Sequence, residues 1–140
     1  MKLTLQETII ASLCVLLCSD RTIRRINRQW LDRDRSTNVI AFPSVLMSEI
    51  TRARGPLRPI RGALDDHLRS SDPMPHLGDI ALGVETARRE GPDDASDQRV
   101  AYLALHGLLH ILGWDHEDET AWRRMDAETR RLLSIATRQE

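Results

Sequence analysis

The chain has 140 residues, 41% of them hydrophobic and 29% charged, and its net charge is −1. These values are ordinary for a globular protein and exclude an intrinsically disordered chain or a small disulfide scaffold. No apolar run approaches the ~20 residues of a membrane span, so we expect no membrane association. The apolar stretch 9–18 precedes arginines and lacks a signal-peptide cleavage site, so we expect a cytoplasmic location.

The first strand and helix are predicted from an apolar run and the capping residues that follow it. Leu13–Cys18 predicts a buried strand, with its two cysteines as small core residues. Ser19 or Asp20 then caps a helix over 21–31. The apolar stripe of this helix consists of Ile23, Ile26 and Trp30.

A second strand and a long loop come next. Thr37–Phe42 is β-branched and apolar and is ended by Pro43, which predicts a strand. Residues 44–76 are interrupted by glycines and prolines and predict a long surface loop, which can include a short helix over Ala63–Arg69. A linker between two domains is the alternative, but neither flank could form a core alone.

The second half predicts one strand and three helices. Leu77–Leu82 predicts the third strand, Val84–Glu90 a short helix, and 97–112 a helix that is apolar nearly all round and therefore central and buried. A last helix is predicted with the acidic Glu117–Glu119 segment in its first turn, where negative charge is favourable for the helix dipole. Its inner face consists of Trp122, Met125, Thr129, Leu132 and Leu133. We predict one α+β domain over residues 1–140, with a small mixed sheet packed against four to five helices.

Positive charge is concentrated in the first half of the chain. Residues 1–70 carry 12 basic and 7 acidic side chains, whereas residues 71–140 carry 8 basic and 14 acidic ones. Two groups of arginines account for most of this excess: Arg21, Arg24, Arg25, Arg28, Arg33 and Arg35, then Arg52, Arg54, Arg58 and Arg61. Arginine suits bidentate phosphate contacts, and a solvated helix surface is the alternative explanation.

Three histidines have the spacing of metal ligands. His106 and His110 are four residues apart, so a helix presents both on one face. Gly113 can adopt a positive φ and end that helix, which lets the chain turn back with His116 as a third ligand. Three neutral imidazoles and an open fourth position are typical of a catalytic zinc site, so we predict one Zn²⁺ per chain.

The same spacing occurs in the metzincin protease pattern H-E-x-x-H-x-x-G-x-x-H, with one difference. The glutamate that activates the zinc-bound water in those proteases is replaced by Gly107. We expect this glycine to leave space beside the metal for a bulky substrate group. The missing general base argues against a protease.

His106-Gly-Leu-Leu-His110-Ile-Leu-Gly-Trp-Asp-His116 resembles the H-G-x-x-H-L-x-G-Y-D-H signature of the YbeY family of bacterial zinc endoribonucleases. Two other stretches are similar in order and content. Asn27 through Pro43 resembles the family's N-x-x-Y-R-x-x-D-x-P-T-[ND]-V-L-S-F-P, and Leu77–Ile80 resembles its L-G-D-I strand. The resemblance covers residues 13–135.

The resemblance implies cleavage of single-stranded RNA, maturation of the 3′ end of 16S rRNA and ribosome quality control, with rRNA and the ribosome or its proteins as partners. The arginine that the family uses in catalysis is replaced by Leu31, so we predict that Arg33, or else Arg35, supplies that charge. Asp115 is expected either to orient a ligating histidine or to cap the last helix. A zinc-stabilised ribosome-assembly factor with little cleavage activity is the alternative function.

Overall fold

Three strands and five helices are formed by residues 11–57, 75–91 and 96–138, the part of the chain that the computed structural model describes. In chain order they are β1 (Ser12–Cys18), α1 (Asp20–Leu31), β2 (Val39–Pro43), α2 (Val45–Arg54), β3 (His76–Gly83), α3 (Val84–Glu90), α4 (Ser96–Ile111) and α5 (Glu119–Arg138). The predicted α+β class, with four to five helices, is confirmed.

The three strands form one mixed sheet in the order β1-β3-β2. β3 lies in the middle, parallel to β1 and antiparallel to β2. Because helices cover both faces of β3, its residues from Ile80 to Gly83 are all buried. The predicted small mixed sheet is therefore confirmed, and β2 forms one of its edges.

Alternate residues of the strands point to two separate layers of the core, as the two-residue period of a strand requires. Ile40 and Ala81 pack with Ile23 of α1 on one face of the sheet. Ile80 packs with Leu109 of α4 on the other face. The sheet is thus enclosed between α1 and α4.

Helix α4 is the central helix, as the sequence predicts. It contacts β2, β3, α3 and α5, and Leu109 and Ile111 have no exposed surface. Its apolar sequence follows from burial on several sides, since a helix with one packed face needs only a stripe of apolar residues. None of the described helices has the length and apolar character that crossing a membrane requires.

The first strand is not buried as predicted. Within the described residues, β1 pairs only with β3, and its successive residues from Cys14 to Leu17 are all exposed. Leu17 is 61% exposed, and Cys14 is exposed while Cys18 is buried. The apolar run predicted a strand correctly but gave no information about its place at the edge of the sheet.

The predicted 44–76 loop is wrong in its first part. Residues 45–54 form helix α2, and the side-chain oxygen of Ser44 accepts a hydrogen bond from the backbone N–H of Met47 at 3.1 Å, as an N-cap does. Met47 and Leu57 belong to the main core. The helix expected over Ala63–Arg69 lies outside the described residues.

Two tryptophans assigned to inner faces are exposed. Trp30 is 65% and Trp122 is 47% exposed, although Ile23 and Met125 on the same helices are fully buried. Each tryptophan lies one or two turns from its buried neighbour, at the margin of a stripe that is narrower than the sequence pattern predicts. Within the described residues, the buried face of α5 is centred on Met125 and Thr129, which belong to the predicted inner face.

Candidate metal centre

The structure brings His106, His110 and His116 together. One ring nitrogen from each lies within 4.8 Å of the other two. The Nε2 atoms of His106 and His110 are 3.2 Å apart, close to the separation of about 3.3 Å between two nitrogens on a tetrahedral zinc. The three predicted ligands can therefore hold one metal ion with little rearrangement.

The turn after α4 places the third histidine. Gly113 has φ 92°, and its N–H donates to the carbonyl of His110 at 3.0 Å. The N–H of Trp114 donates to the carbonyl of Leu109 at 2.9 Å. This pair of bonds is a Schellman motif, which satisfies the last helical carbonyls and reverses the chain. His116 consequently returns to the face of α4 that carries the other two histidines.

The tautomer of His110 is fixed by its surroundings. Its Nδ1 lies 3.0 Å from the carbonyl oxygen of Trp114, which can only accept, so Nδ1 carries the proton. The Nε2 atom of the neutral ring is then a bare lone pair directed at His106. A backbone carbonyl that orients a histidine in this way is a common partner behind a metal ligand.

His106 has a ring nitrogen that is left unsatisfied by the described part of the chain. Its Nδ1 is buried and has no hydrogen-bond partner among the described residues. If its Nε2 donates to His110, the Nδ1 lone pair is stranded; if Nδ1 is protonated, two Nε2 lone pairs face each other at 3.2 Å. A cation between the two Nε2 atoms removes that lone-pair repulsion. The donor set therefore fits a metal ion.

Burial keeps these rings neutral. Burial first, and then the neighbouring His110 and His116, lower the pKa of His106 to about 4. Burial, followed by the proximity of His116, also lowers the pKa of His110. Both rings are consequently unprotonated at neutral pH, which is the form that binds a metal.

An open cleft of about 500 Å³ adjoins His110. It is lined by residues from the end of α1, from the 33–37 segment, from the edge strand β2 and from the turn after α4. Its polar and charged lining residues are Asn27, Arg33, Arg35, Thr37, His110 and Asp115. Arg33 and Arg35 thus share a cleft with one of the candidate ligands, which supports the prediction about Arg33 without testing its chemical role.

Asn27 holds the segment that carries these arginines. Its side-chain Nδ2 donates to the carbonyl of Arg35 at 2.9 Å, and its own carbonyl accepts the N–H of Arg33 at 3.2 Å. Asp32, with φ 55°, forms the left-handed cap between them. The apolar pattern of α1 gave no sign of this buried role of Asn27, although the residue begins the stretch that resembles the YbeY family.

One prediction about the centre is wrong, and one of the two roles expected for Asp115 is excluded. A Cβ on Gly107 would lie 3.1 Å from Ile80 and 3.2 Å from Val39, so this glycine faces the sheet and leaves no space for substrate. Asp115 does not cap α5, because that role belongs to Asp118, whose Oδ1 accepts the N–H of Ala121 at 2.7 Å. The Oδ1 of Asp115 accepts a hydrogen bond from the backbone N–H of the next residue instead.

Sequence similarity to known proteins identifies the family of this chain. The family model described as Endoribonuclease YbeY matches residues 1–137. The chain belongs to the YbeY family. An Endoribonuclease YbeY from Rhodopseudomonas palustris is 37% identical over 130 residues, which are 91% of this chain and 65% of the relative. One from Geobacter metallireducens is 36% identical over 133 residues, 92% of this chain and 75% of the relative.

Coverage of the relatives is incomplete. The Endoribonuclease YbeY of Nitrobacter winogradskyi is 35% identical over 131 residues, but these are only 60% of its length. The chain therefore spans less than two thirds of the length of several YbeY relatives that it matches. Membership of the YbeY family, predicted from the histidine motif and the Asn27–Pro43 stretch, is confirmed.

We expect zinc-loaded protein to retain one metal ion per chain after desalting, bound at ~2.0–2.1 Å by ring nitrogens. His106→Ala or His110→Ala should lose it, because two remaining imidazoles bind zinc weakly. His76→Ala is the matched control, since His76 lies on β3 and its ring nitrogens face Ser12 and Asp79, outside the cluster of three histidines. Elemental analysis gives the stoichiometry. Stoichiometric metal in the His106 variant would contradict the assignment.

Gly107→Glu should destabilise the fold by about 2–5 kcal/mol, because it forces a carboxylate between α4 and the sheet. Gly107→Ala is the control: its methyl group is tight against Ile80 and Val39, but better helix propensity offsets this by ~1 kcal/mol. Urea unfolding of both variants measures the difference. A Gly107→Glu protein as stable as the parent would show that this position does not face the sheet.

Proposed function

We propose that this chain is a zinc-dependent endoribonuclease that cuts single-stranded RNA. The observation that carries the proposal is a three-histidine cluster beside an arginine-lined cleft in a chain of the YbeY family. The name endoribonuclease is that of its relatives, and its transfer to this chain is part of the proposal.

Zinc is the proposed metal because three neutral imidazoles with room for a fourth ligand form its usual catalytic donor set. Bound there, zinc would supply Lewis-acid character and lower the pKa of a coordinated water toward ~7. His106 and His110 are prepared for this role by burial, which disfavours their protonated forms. The carbonyl of Trp114 fixes the tautomer that presents the Nε2 atom of His110.

Arg33 and Arg35 are proposed to bind the RNA backbone in the cleft. Their guanidinium groups match phosphate oxygens in a bidentate manner, and the fixed 32–35 segment limits the entropy lost when they do so. Arg33 is proposed to face the negative charge that develops on the phosphate under attack, in place of the family arginine replaced by Leu31. Leu31 itself lines the cleft.

Asp115 is proposed as the proton acceptor for the attacking water. It is the one carboxylate among the described residues that line the cleft. Its Oδ1 is held by the N–H of His116 at 2.8 Å, so the carboxylate is oriented and its Oδ2 is the atom proposed to take the proton.

The biological role that we propose is maturation of the 3′ end of 16S rRNA and ribosome quality control in the cytoplasm. The resemblance of the Asn27–Pro43 and histidine stretches to the YbeY family supports it. The partners in this proposal are single-stranded rRNA and the ribosome or its proteins.

A ribosome-assembly factor that is stabilised by zinc and cuts little RNA is the second candidate. One observation favours it: an aliphatic side chain, Leu31, lines the cleft where the family has its arginine. The two functions predict the same metal and the same RNA affinity, and differ only in turnover.

Zinc-loaded protein should cleave single-stranded RNA, lose this activity with chelator, regain it with added zinc, and leave casein intact. The physical reason is that the cleft offers arginines for the negatively charged RNA backbone, whereas an uncharged peptide backbone gains little from them. Gel analysis of labelled RNA and casein in parallel measures both reactions. Zinc-bound protein that binds RNA without cutting it would favour the assembly factor, and casein cleavage would favour a protease.

Arg33→Ala with Arg35→Ala should weaken RNA binding about tenfold or more and flatten its salt dependence. Each lost phosphate contact on a single strand removes ~0.7 from the slope of log K against log salt, so the slope should fall by ~1.4. Arg88→Ala with Arg138→Ala is the control, since these exposed arginines lie outside the cleft. An unchanged slope in the Arg33/Arg35 variant would show that these arginines do not hold phosphates.

A further inference from the structure

Helix α1 presents a row of arginines on its solvent side. Arg21, Arg24, Arg25 and Arg28, here called the arginine stripe, follow the i, i+3, i+4, i+7 spacing of one helix face. All four are exposed, whereas Ile23 and Asn27 on the opposite side are buried. Together with Asp34 they line a surface groove of about 370 Å³.

Most of this positive charge has no ion-pair partner among the described residues. Arg24 forms an ion pair with Asp34, at 2.9 Å, and the same carboxylate also interacts electrostatically with Arg28, but no described carboxylate forms an ion pair with Arg21, Arg25 or Arg28. Asp20, the acidic residue of the helix, is occupied by Thr86 and Arg89. Like charges at this spacing repel one another, so a bound polyanion would reduce the repulsion within the stripe.

The stripe adjoins the segment that lines the cleft beside His110. Two nitrogens of Arg24, Nε and Nη2, donate hydrogen bonds to the carboxylate of Asp34, at 2.9 and 3.3 Å. Asp34 stands between Arg33 and Arg35, which line the cleft. The groove of the stripe and the cleft are thus joined through a single fixed segment, residues 32–35.

We propose that the arginine stripe binds the sugar–phosphate backbone of single-stranded RNA outside the cleft and leads the strand toward the histidines. This inference rests on the proposed function and extends it to a second, electrostatic subsite. From Arg21 to Arg28 the helix rises about 10 Å, enough to contact several consecutive phosphates. The contacts are independent of sequence, as backbone contacts are.

The test compares two RNA lengths on zinc-loaded protein. The probes are 2′-O-methyl oligouridines of about 4 and about 14 nucleotides, which resist cleavage and differ in reach beyond the cleft. Fluorescence anisotropy gives both affinities as salt is varied. The parent should bind the long probe at least about tenfold more tightly than the short one, and the variant with Arg21, Arg25 and Arg28 all changed to Gln should lose most of this advantage. Its salt slope on the long probe should flatten by ~2.

A matched variant removes the same charge elsewhere. Arg88, Arg124 and Arg138 are exposed, lie on other helices and have no ion pair with the described residues. Changing these three to Gln should preserve the length advantage. Equal loss in both variants would reduce the effect to net charge, and full retention in the stripe variant would assign the stripe to some other partner; either result overturns the proposal.

The experiment also separates this proposal from the function on which it rests. If the parent binds neither probe, RNA binding itself fails and both proposals fall. If the parent binds both probes and the Arg33/Arg35 variant binds neither, the cleft is supported, and the stripe is then judged only by the length advantage. Metal content and circular dichroism of each variant establish that folding is equal.

Discussion

The reversal of the chain at Gly113 is the constraint on which the candidate site depends. α4 alone can present His106 and His110, but a third ligand requires the chain to fold back within a few residues. The positive φ of Gly113 permits this, and a Cβ there would lie 2.9 Å from Thr51, so close packing also excludes larger residues. The same turn supplies the carbonyl that orients His110. A single turn therefore ends α4, orients His110 and brings the third candidate ligand to the site.

The cleft lies along β2, which is an edge strand of the sheet that the described residues form. One side of β2 pairs with β3, and residues of β2, of the end of α1 and of the turn after α4 line the cleft. Asn27, buried beneath this edge, fixes the arginine segment by two hydrogen bonds to its backbone. The arrangement places Arg33, Arg35 and His110 in the lining of one opening.

Local signals in the sequence were sufficient for most elements and for the histidine cluster. Capping by Ser19, the breaker Pro43 and the spacing of the histidines act over a few residues, so they can be recognised without the fold. Properties set by distant partners could not be predicted. The exposure of Leu17 depends on which strand lies at the edge, and the sheet-facing position of Gly107 depends on how closely α4 approaches Ile80.

In the proposed function, three imidazoles hold a zinc ion and leave one position open for water and substrate. X-ray absorption at the zinc edge of the loaded protein tests this arrangement, because it gives the ligand distances and counts imidazole ligands. We expect three imidazole nitrogens at ~2.0–2.1 Å and one further light ligand that an added anion displaces. Four protein ligands that do not respond to added anions would identify a closed structural site and contradict the proposal.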